Sequence, residues 1–510
     1  MDWTAGYVSD IEYTSGFYRE QSPAWLNFVC LLNGVEPVAL DQPFTYFELG
    51  FGRGLTAQLL AGANPMGQFY AADFNPAHVA GARALAREAQ LPNLTLLENS
   101  FAELAEGQVT LPQFDYITLH GIYSWVTAEN RRHIVNFIGR YLKPGGVVYI
   151  SYNAMPGWAP ALPLQRLLVE YADAFPNRSD VQLKGATEFI GQLEAAQAAY
   201  MAGNPSLKIR LDSLRTANPH YLVHEYLHKH WQPLFHADVA RDLAAAKMSF
   251  AGSADLPFAF PTLYLSEERR QLVDKLPHPE MRETLKDYLL NTAFRKDVFV
   301  RGAQRIGTQR QSDLLGQVGL TLTVPRADVS LKLKLPMGEA DARPDIYNVV
   351  LDALAQRPHT LAELARLPGQ GVSSVIQIAA LMSASSQTAF YFPANARAAG
   401  DAAARLNATL SAQTRYSDEH QALCSPLLGC GVSANYVERL FFAAMRQQPA
   451  DLTPGQLARV AWDIMAPSGR RLQREGVTLE AAEDNLALLT QNAQTFLTIT
   501  LPLWQSLRVA

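Results

Sequence analysis

The 510 residues contain three cysteines, Cys30, Cys424 and Cys430. They form neither an even disulfide set nor a zinc-ligand pattern, which favours a reducing, cytoplasmic setting. Long apolar runs are missing too. No stretch reaches the ~18 apolar residues that suggest a membrane helix, and Met1-Asp-Trp-Thr opens no basic or apolar leader, so no membrane span is expected. Basic charge is not in excess: 43 Lys and Arg stand against 48 Asp and Glu, a net charge of −5. Pairs such as Arg131-Arg132 and Arg269-Arg270 read as solvated helix faces, and no nucleic-acid partner is expected. There is no internal repeat. The length predicts two to four domains, and 48% apolar content allows each a substantial core.

What is present centres on residues 44–57. The apolar run Tyr46 to Leu49 reads as a buried strand, breaks into Gly50, Gly52 and Gly54, and leads into a helix with Leu55, Leu59 and Leu60 at helical spacing. Glycines let backbone approach a ligand closely, and free N–H groups at a helix start point toward it. A dinucleotide fingerprint needs glycine where Leu55 stands, and a phosphate-cradling P-loop needs a Gly-Lys-Ser/Thr that is absent. Glu48 at the strand end repels phosphate but attracts an ammonium. S-adenosylmethionine (SAM) has an ammonium, a sulfonium and no phosphate. Glu48-x-Gly50-x-Gly52-x-Gly54 thus resembles motif I of class I SAM-dependent methyltransferases.

The next strand, Gln68 to Asp73, ends in a carboxylate suited to ribose hydroxyls. Asp73 and the adjacent Phe74 are assigned to the cofactor, while Asn75-Pro76 opens a helix over 77–90. A third strand, Leu94–Leu97, ends at Asn99-Ser100-Phe101, the turn expected at the adenine. The fourth, Phe114–His120, ends in His120-Gly121-Ile-Tyr123-Ser-Trp125, where a methyl acceptor should approach; His120 and Gly121 are also expected at the cofactor. The Pro-Pro-aromatic motif of many nucleic-acid amino-methyltransferases is absent there. A histidine and aromatic rim stands instead, suited to a cationic side chain, or alternatively to ordinary core packing. Strand Val147–Tyr152 leads into Tyr152-Asn153-Ala-Met-Pro-Gly-Trp158. His120, Tyr123, Tyr152 and Asn153 are the candidate catalytic residues. Tyr13 and Tyr18, in an aromatic segment before the first strand, either close over the pocket or pack the segment down.

His120-Gly-Ile-Tyr-Ser-Trp-Val, Ser151-Tyr-Asn-Ala-Met-Pro-Gly-Trp and His224-Glu-Tyr-Leu together resemble bacterial methyltransferases with a methyltransferase regulatory domain, which include the rickettsial outer-membrane-protein lysine methyltransferases. The resemblance covers roughly residues 1–305. It implies SAM binding, a protein-lysine acceptor such as a surface protein before export, and a homodimer. Tyr13, Tyr18, Trp125, Trp158, His224 and Glu225 are the candidate substrate contacts. His224-Glu225-Tyr-Leu-His228 also reads as a zinc-protease helix, but no third ligand follows at fixed spacing, and no metal is expected.

The expected fold is α/β. A Rossmann-like methyltransferase core spans 1–160, and a helical regulatory or dimerisation region spans 161–305. A winged-helix-like module spans 306–395, with strands 318–324 and 329–335, and a helical domain spans 396–510. The expected activity is SAM-dependent N-methylation of protein, with lysine as acceptor. Two other readings stay open: a small-molecule methyltransferase, and a non-catalytic SAM-binding regulator.

Overall fold

Each apolar run expected to be a strand of the N-terminal core is one. β1 (Phe44–Leu49), β2 (Gly67–Asp73), β3 (Leu94–Glu98), β4 (Phe114–Leu119) and β5 (Leu142–Asn153) are parallel neighbours in the order β3-β2-β1-β4-β5. The computed structural model describes residues 16–216, 218–447 and 452–510, so Tyr13 lies outside the described residues. Strand order reverses between β1 and β4, which opens a crevice at the strands' carboxyl ends.

Local chemistry sets the helices that flank this crevice. α1 (Pro23–Leu32) is capped by Ser22, and α2 (Leu55–Ala63) starts from left-handed Gly54. α3 (Pro76–Glu88) has the Asn75 cap and leading proline that the sequence predicts. α4 (Phe101–Glu106) opens with a reciprocal Ser100–Glu103 capping box, and α5 (Ala128–Tyr141) is capped by Thr127.

The sheet does not end where the first domain was expected to. Two more strands, β6 (Met248–Ser253) and β7 (Phe294–Arg301), return to it, with β7 antiparallel between β5 and β6. A boundary at residue 160 would therefore cut the sheet. The helices between β5 and β6 form an insert with its own core around Trp158, Leu164, Leu168, Leu183 and Trp231. The cause of β7's illegibility is charge: Arg295, Lys296 and Asp297 interrupt its apolar pattern. Arg295 is buried, with Asp297 at 2.9 Å, Asp287 at 2.8 Å and Glu283 at 3.1 Å.

The module after β7 has the expected winged-helix order. Strand Gly319–Leu322 pairs with His359–Thr360 and Thr388–Tyr391, around helices Pro344–Gln356 and Val372–Ala384. The second expected strand, Lys332–Leu335, pairs instead with Gly338–Asp341 as a separate hairpin. The C-terminal part is not all helix either. A hairpin of Ala422–Ser425 and Cys430–Ser433 lies against α2.

That contact encloses the glycine turn from behind. All nine residues of α2 are buried. Asn64, at its C-cap, donates to the Gly429 carbonyl at 2.8 Å, and Gly62 lies so close to Leu406 and Cys424 that an added Cβ would sit 3.0 and 3.2 Å from them. The far end of the chain thus belongs to the fold of the cofactor region. Leu406→Ala is expected to cost about 2–5 kcal/mol of stability. A chain cut after Arg305 is expected to lose the cooperative unfolding of the whole, because α2 would face water. Scanning calorimetry checks both, and a cut chain melting cooperatively at the full-length temperature would contradict this packing.

Candidate active site

A cavity of about 640 Å³ occupies the crevice, within the range of small-molecule sites. One wall is the sheet edge. Gly50, Gly52 and Gly54 follow β1 with φ of 70°, 57° and 79°, conformations only glycine adopts without strain. A Cβ on Gly52 would meet no atom within 4 Å; it would project into open space. The turn's own N–H groups do not serve as free donors. Gly50 N–H donates to the Ala72 carbonyl, Gly54 N–H to the Phe51 carbonyl, and Gly52 N–H to Asp73 Oδ2 at 2.8 Å. The glycines here give close approach and leave the donating to other groups.

Asp73 is buried and accepts from Gly52 N–H and from Asn75 N–H at 2.9 Å, with His78 Nδ1 3.3 Å away. It holds the turn and also lines the cavity, as do Phe74, Asn99, Ser100 and Phe101. Asp73→Ala would therefore loosen the turn as well as remove a ligand contact. Deeper in, Gln21 Nε2 donates to Glu48 Oε1 at 3.3 Å. Gln21 Oε1 and Glu48 Oε2 are both buried acceptors with no hydrogen-bond partner among the described residues. Burial pushes the Glu48 carboxyl up to about 8, with Gln21 pulling it down and Asp73 adding to the rise. Two orphaned acceptors side by side suit an ammonium, which carries three donors.

The roof is aromatic. The Tyr18 ring stacks on His120 at 3.7 Å, and His120 Nδ1 shares a 2.8 Å hydrogen bond with the Tyr149 hydroxyl. Gly121 N–H donates to Ser151 Oγ at 2.8 Å. Burial lowers His120 to about 3, which makes it a neutral, weakly basic ring near pH 7. The far wall comes from the insert, with Trp125 of the loop after β4: Trp125, Trp158, Arg210, His224 and Glu225 line the cavity with Asn153 and Phe294 of the sheet edge.

Two expected catalytic residues are not there. Tyr152 points through the other face of β5, where its hydroxyl donates to Asp297 at 2.7 Å beside His236. Side chains alternate along a strand, so Asn153 faces the cavity and Tyr152 cannot. Tyr123 is fully buried in the core, its hydroxyl donating to Asp242 at 2.9 Å. Left-handed Gly121 turns the chain before it. The other expected residues, Tyr13 aside, all line the cavity. Gln21, Arg53, His78, Arg210 and Tyr221 also line it and were not foreseen. Among the described residues no three His, Cys, Asp or Glu side chains gather as a metal-binding group.

A family model described as a methyltransferase domain matches residues 47–148, and one described as a predicted methyltransferase regulatory domain matches 218–301. The protein sll1526 of Synechocystis sp. is 36% identical over 514 aligned residues, covering 100% of both chains. The chain belongs to the methyltransferases that carry this regulatory domain. The protein RP028 of Rickettsia prowazekii is 26% identical over 43% of this chain and 86% of its own length. The structure of PKMT2 from Rickettsia typhi, in complex with AdoHcy, superposes with a TM-score of 0.70 at 16% identity over 95% of this chain and 98% of that one, which shows a common fold. The cofactor of this methyltransferase is SAM, and the cavity fits it. The orphaned acceptors of Gln21 and Glu48, the open space at Gly52 and the Asp73 carboxylate suit its ammonium, its methionine chain and its ribose respectively.

Proton linkage tests that fit. With Glu48 raised to about 8, the empty protein holds it neutral at pH 7. An arriving ammonium favours the carboxylate, so binding should release a proton, and affinity should climb by up to about tenfold per pH unit between about pH 6 and 7.5. By the same sign, the empty protein loses stability as pH rises from the unfolded carboxyl value toward 8. Calorimetric SAM titrations in buffers of different ionisation enthalpy count the released proton. Glu48→Gln should abolish it, and an unchanged count would remove Glu48 from the ammonium site. His120, lowered to about 3, stays neutral across the working range. The rate deficit of His120→Ala is therefore expected to stay constant from about pH 6 to 9; a deficit that shrinks with pH would restore a proton-accepting role.

Proposed function

We propose that the chain methylates an amine of a protein, with a lysine side chain as acceptor. The observation that carries this reading is the wall opposite the glycine turn. Trp125, Trp158, Tyr221 and Glu225 of one cavity combine aromatic faces with a carboxylate, a lining that attracts a cationic side chain and strips its water. The sequence motifs that resemble lysine methyltransferases fall on this same wall: Trp125, Trp158 and His224-Glu225.

Bound SAM supplies a methyl group on a positively charged sulfur, ready for displacement by a lone pair. The residues contribute the rest. Glu48 and Gln21 take the ammonium, Asp73 the ribose, and Phe74 with the Asn99–Phe101 turn the adenine. Tyr18 stacked on His120 keeps water from the reacting centre. Alignment of the incoming amine supplies most of the rate, because a well-oriented pair can gain about 7–11 kcal/mol over free encounter. A free lysine has a pKa of about 10.4, so its ammonium must lose a proton before attack, and a desolvating channel eases that loss.

The same reading makes the enzyme a cytoplasmic homodimer. Exposed Leu272, Met281 and Tyr288 on helices Glu267–Asp274 and Pro279–Leu290 supply apolar surface for self-association.

Incubation with methyl-labelled SAM and cell extract tests the acceptor class. Labelled protein bands, with the label on lysine by peptide mass spectrometry, are the expected result. Label confined to small molecules would assign a small-molecule acceptor, and no transfer despite SAM binding would leave a non-catalytic regulator.

A further inference from the structure

The helical insert brings a cation, an aromatic face and a carboxylate to the cavity, and the cofactor half of the site has no use for them. Arg210, on helix Lys208–Thr216, holds its guanidinium 3.3 Å from the centroid of the Trp158 ring. Glu225, on helix Pro219–Tyr226, lines the same cavity. Burial raises its carboxyl, while Arg210, Tyr221 and Asn153 oppose the rise. Asn153 is buried at 4% exposure and lines the cavity at the end of β5, where its amide faces the Glu225 carboxyl. A resident cation on an aromatic face and a desolvated carboxyl on the same cavity wall describe a subsite for a positively charged group that can also give up a proton.

We propose that Glu225 anchors the acceptor's ammonium and takes its proton, in a cation subsite that Arg210 holds when no acceptor is present. This deepens the amine-acceptor reading above and rests on it. The proton passes from the acceptor nitrogen to a Glu225 carboxylate oxygen, which frees the nitrogen lone pair. That lone pair takes the methyl carbon as the carbon–sulfur bond pair returns to sulfur, and the positive charge moves from sulfur to the methylated nitrogen. The charged and titratable groups that face Glu225 are Arg210, Tyr221 and Tyr226, whose hydroxyl also bonds Arg210, with His224 and His228 beside it on the cavity wall. His228 is lowered to about 4 by burial and by the neighbouring His230 and His224, so it is neutral where the enzyme works. Arg210 is the one fixed cation of the group. The incoming ammonium replaces its positive charge on the Trp158 face, and Glu225 stays balanced throughout. The methyltransferase fold thus borrows its proton acceptor from the regulatory segment, and an acceptor must displace Arg210 to be methylated.

Two measurements on the full chain test this. The first is turnover on a lysine-labelled protein as a function of pH. Glu225→Gln should lower kcat/KM at pH 7 by about 10²-fold or more with SAM affinity unchanged. Without the carboxylate only amine that is already neutral reacts, so the variant's rate should climb about tenfold per pH unit toward the lysine pKa near ~10, and the deficit should narrow. A deficit constant with pH would overturn the proton role. The second is calorimetric binding of n-pentylammonium, a lysine side-chain mimic, against neutral 1-pentanol, with and without S-adenosylhomocysteine. The wild type should prefer the cation, Glu225→Gln should lose the preference, and Arg210→Gln should bind the cation more tightly. Equal preference in wild type and Glu225→Gln would overturn the subsite even if protein is labelled. A preference that depends on Glu225, with no protein labelled, would overturn only the protein-acceptor reading.

Discussion

The hydrogen bond from Gly52 N–H to Asp73 fixes the relation between the first two strands at their ligand end. It ties the left-handed turn after β1 to the carboxylate that closes β2. The near wall of the cavity is placed from that corner. α2 starts from the turn, and the C-terminal hairpin then encloses α2. Arg53, inside the turn, pairs with Glu419 at 2.7 Å. This pair is partly exposed, so its own contribution is under about 1 kcal/mol; the burial of α2 does the holding.

A second constraint sets the opposite edge. Arg295 and Asp297 are buried in β7 beside β5, with Tyr152 and His236 completing the network. Loss of one partner from a buried pair leaves an uncompensated charge, at about 3–5 kcal/mol. The network therefore favours one register, in which Asn153 lies opposite Phe294 and both reach the cavity. The insert hangs between β5 and β6, and this fixed edge carries Trp158 and the helix of Glu225 to the far wall.

Much of the site was legible in the sequence, because its cofactor half is built from local signals. The glycine turn, the strand-ending Asp73 and the Asn99–Phe101 turn each lie where a strand stops, and strand ends can be read from apolar runs. The opposite half was legible as residue types but not as directions. Tyr152 and Asn153 are neighbours in sequence and opposites in space, and Tyr123 turns into the core after Gly121. Arg210 and Tyr221 carry no spacing signal, since only the packing of the insert brings them to Trp158. β6 and β7 escaped detection for different reasons. β6 contains glycine and few large apolar residues. β7 carries charges that look solvated until carboxylates from other elements pair with them, Asp287 and Glu283 with Arg295, and Glu20 and Asp255 with Lys296. The hairpin Ala422–Ser425 with Cys430–Ser433 is too short to stand out from a helical background.

One cavity joins the strand ends of the methyltransferase sheet to the helical insert. Hydrogen–deuterium exchange of the full chain, with and without S-adenosylhomocysteine, tests this most directly. Slowed exchange is expected at the glycine turn and start of α2, at Asp73–Asn75, at Asn99–Phe101 and at His120–Ile122, with a weaker effect in helix Pro219–Tyr226 and none in the winged-helix-like strands. Protection confined to those strands or to the C-terminal helices, with the glycine turn exchanging as in the free protein, would place the ligand outside this cavity.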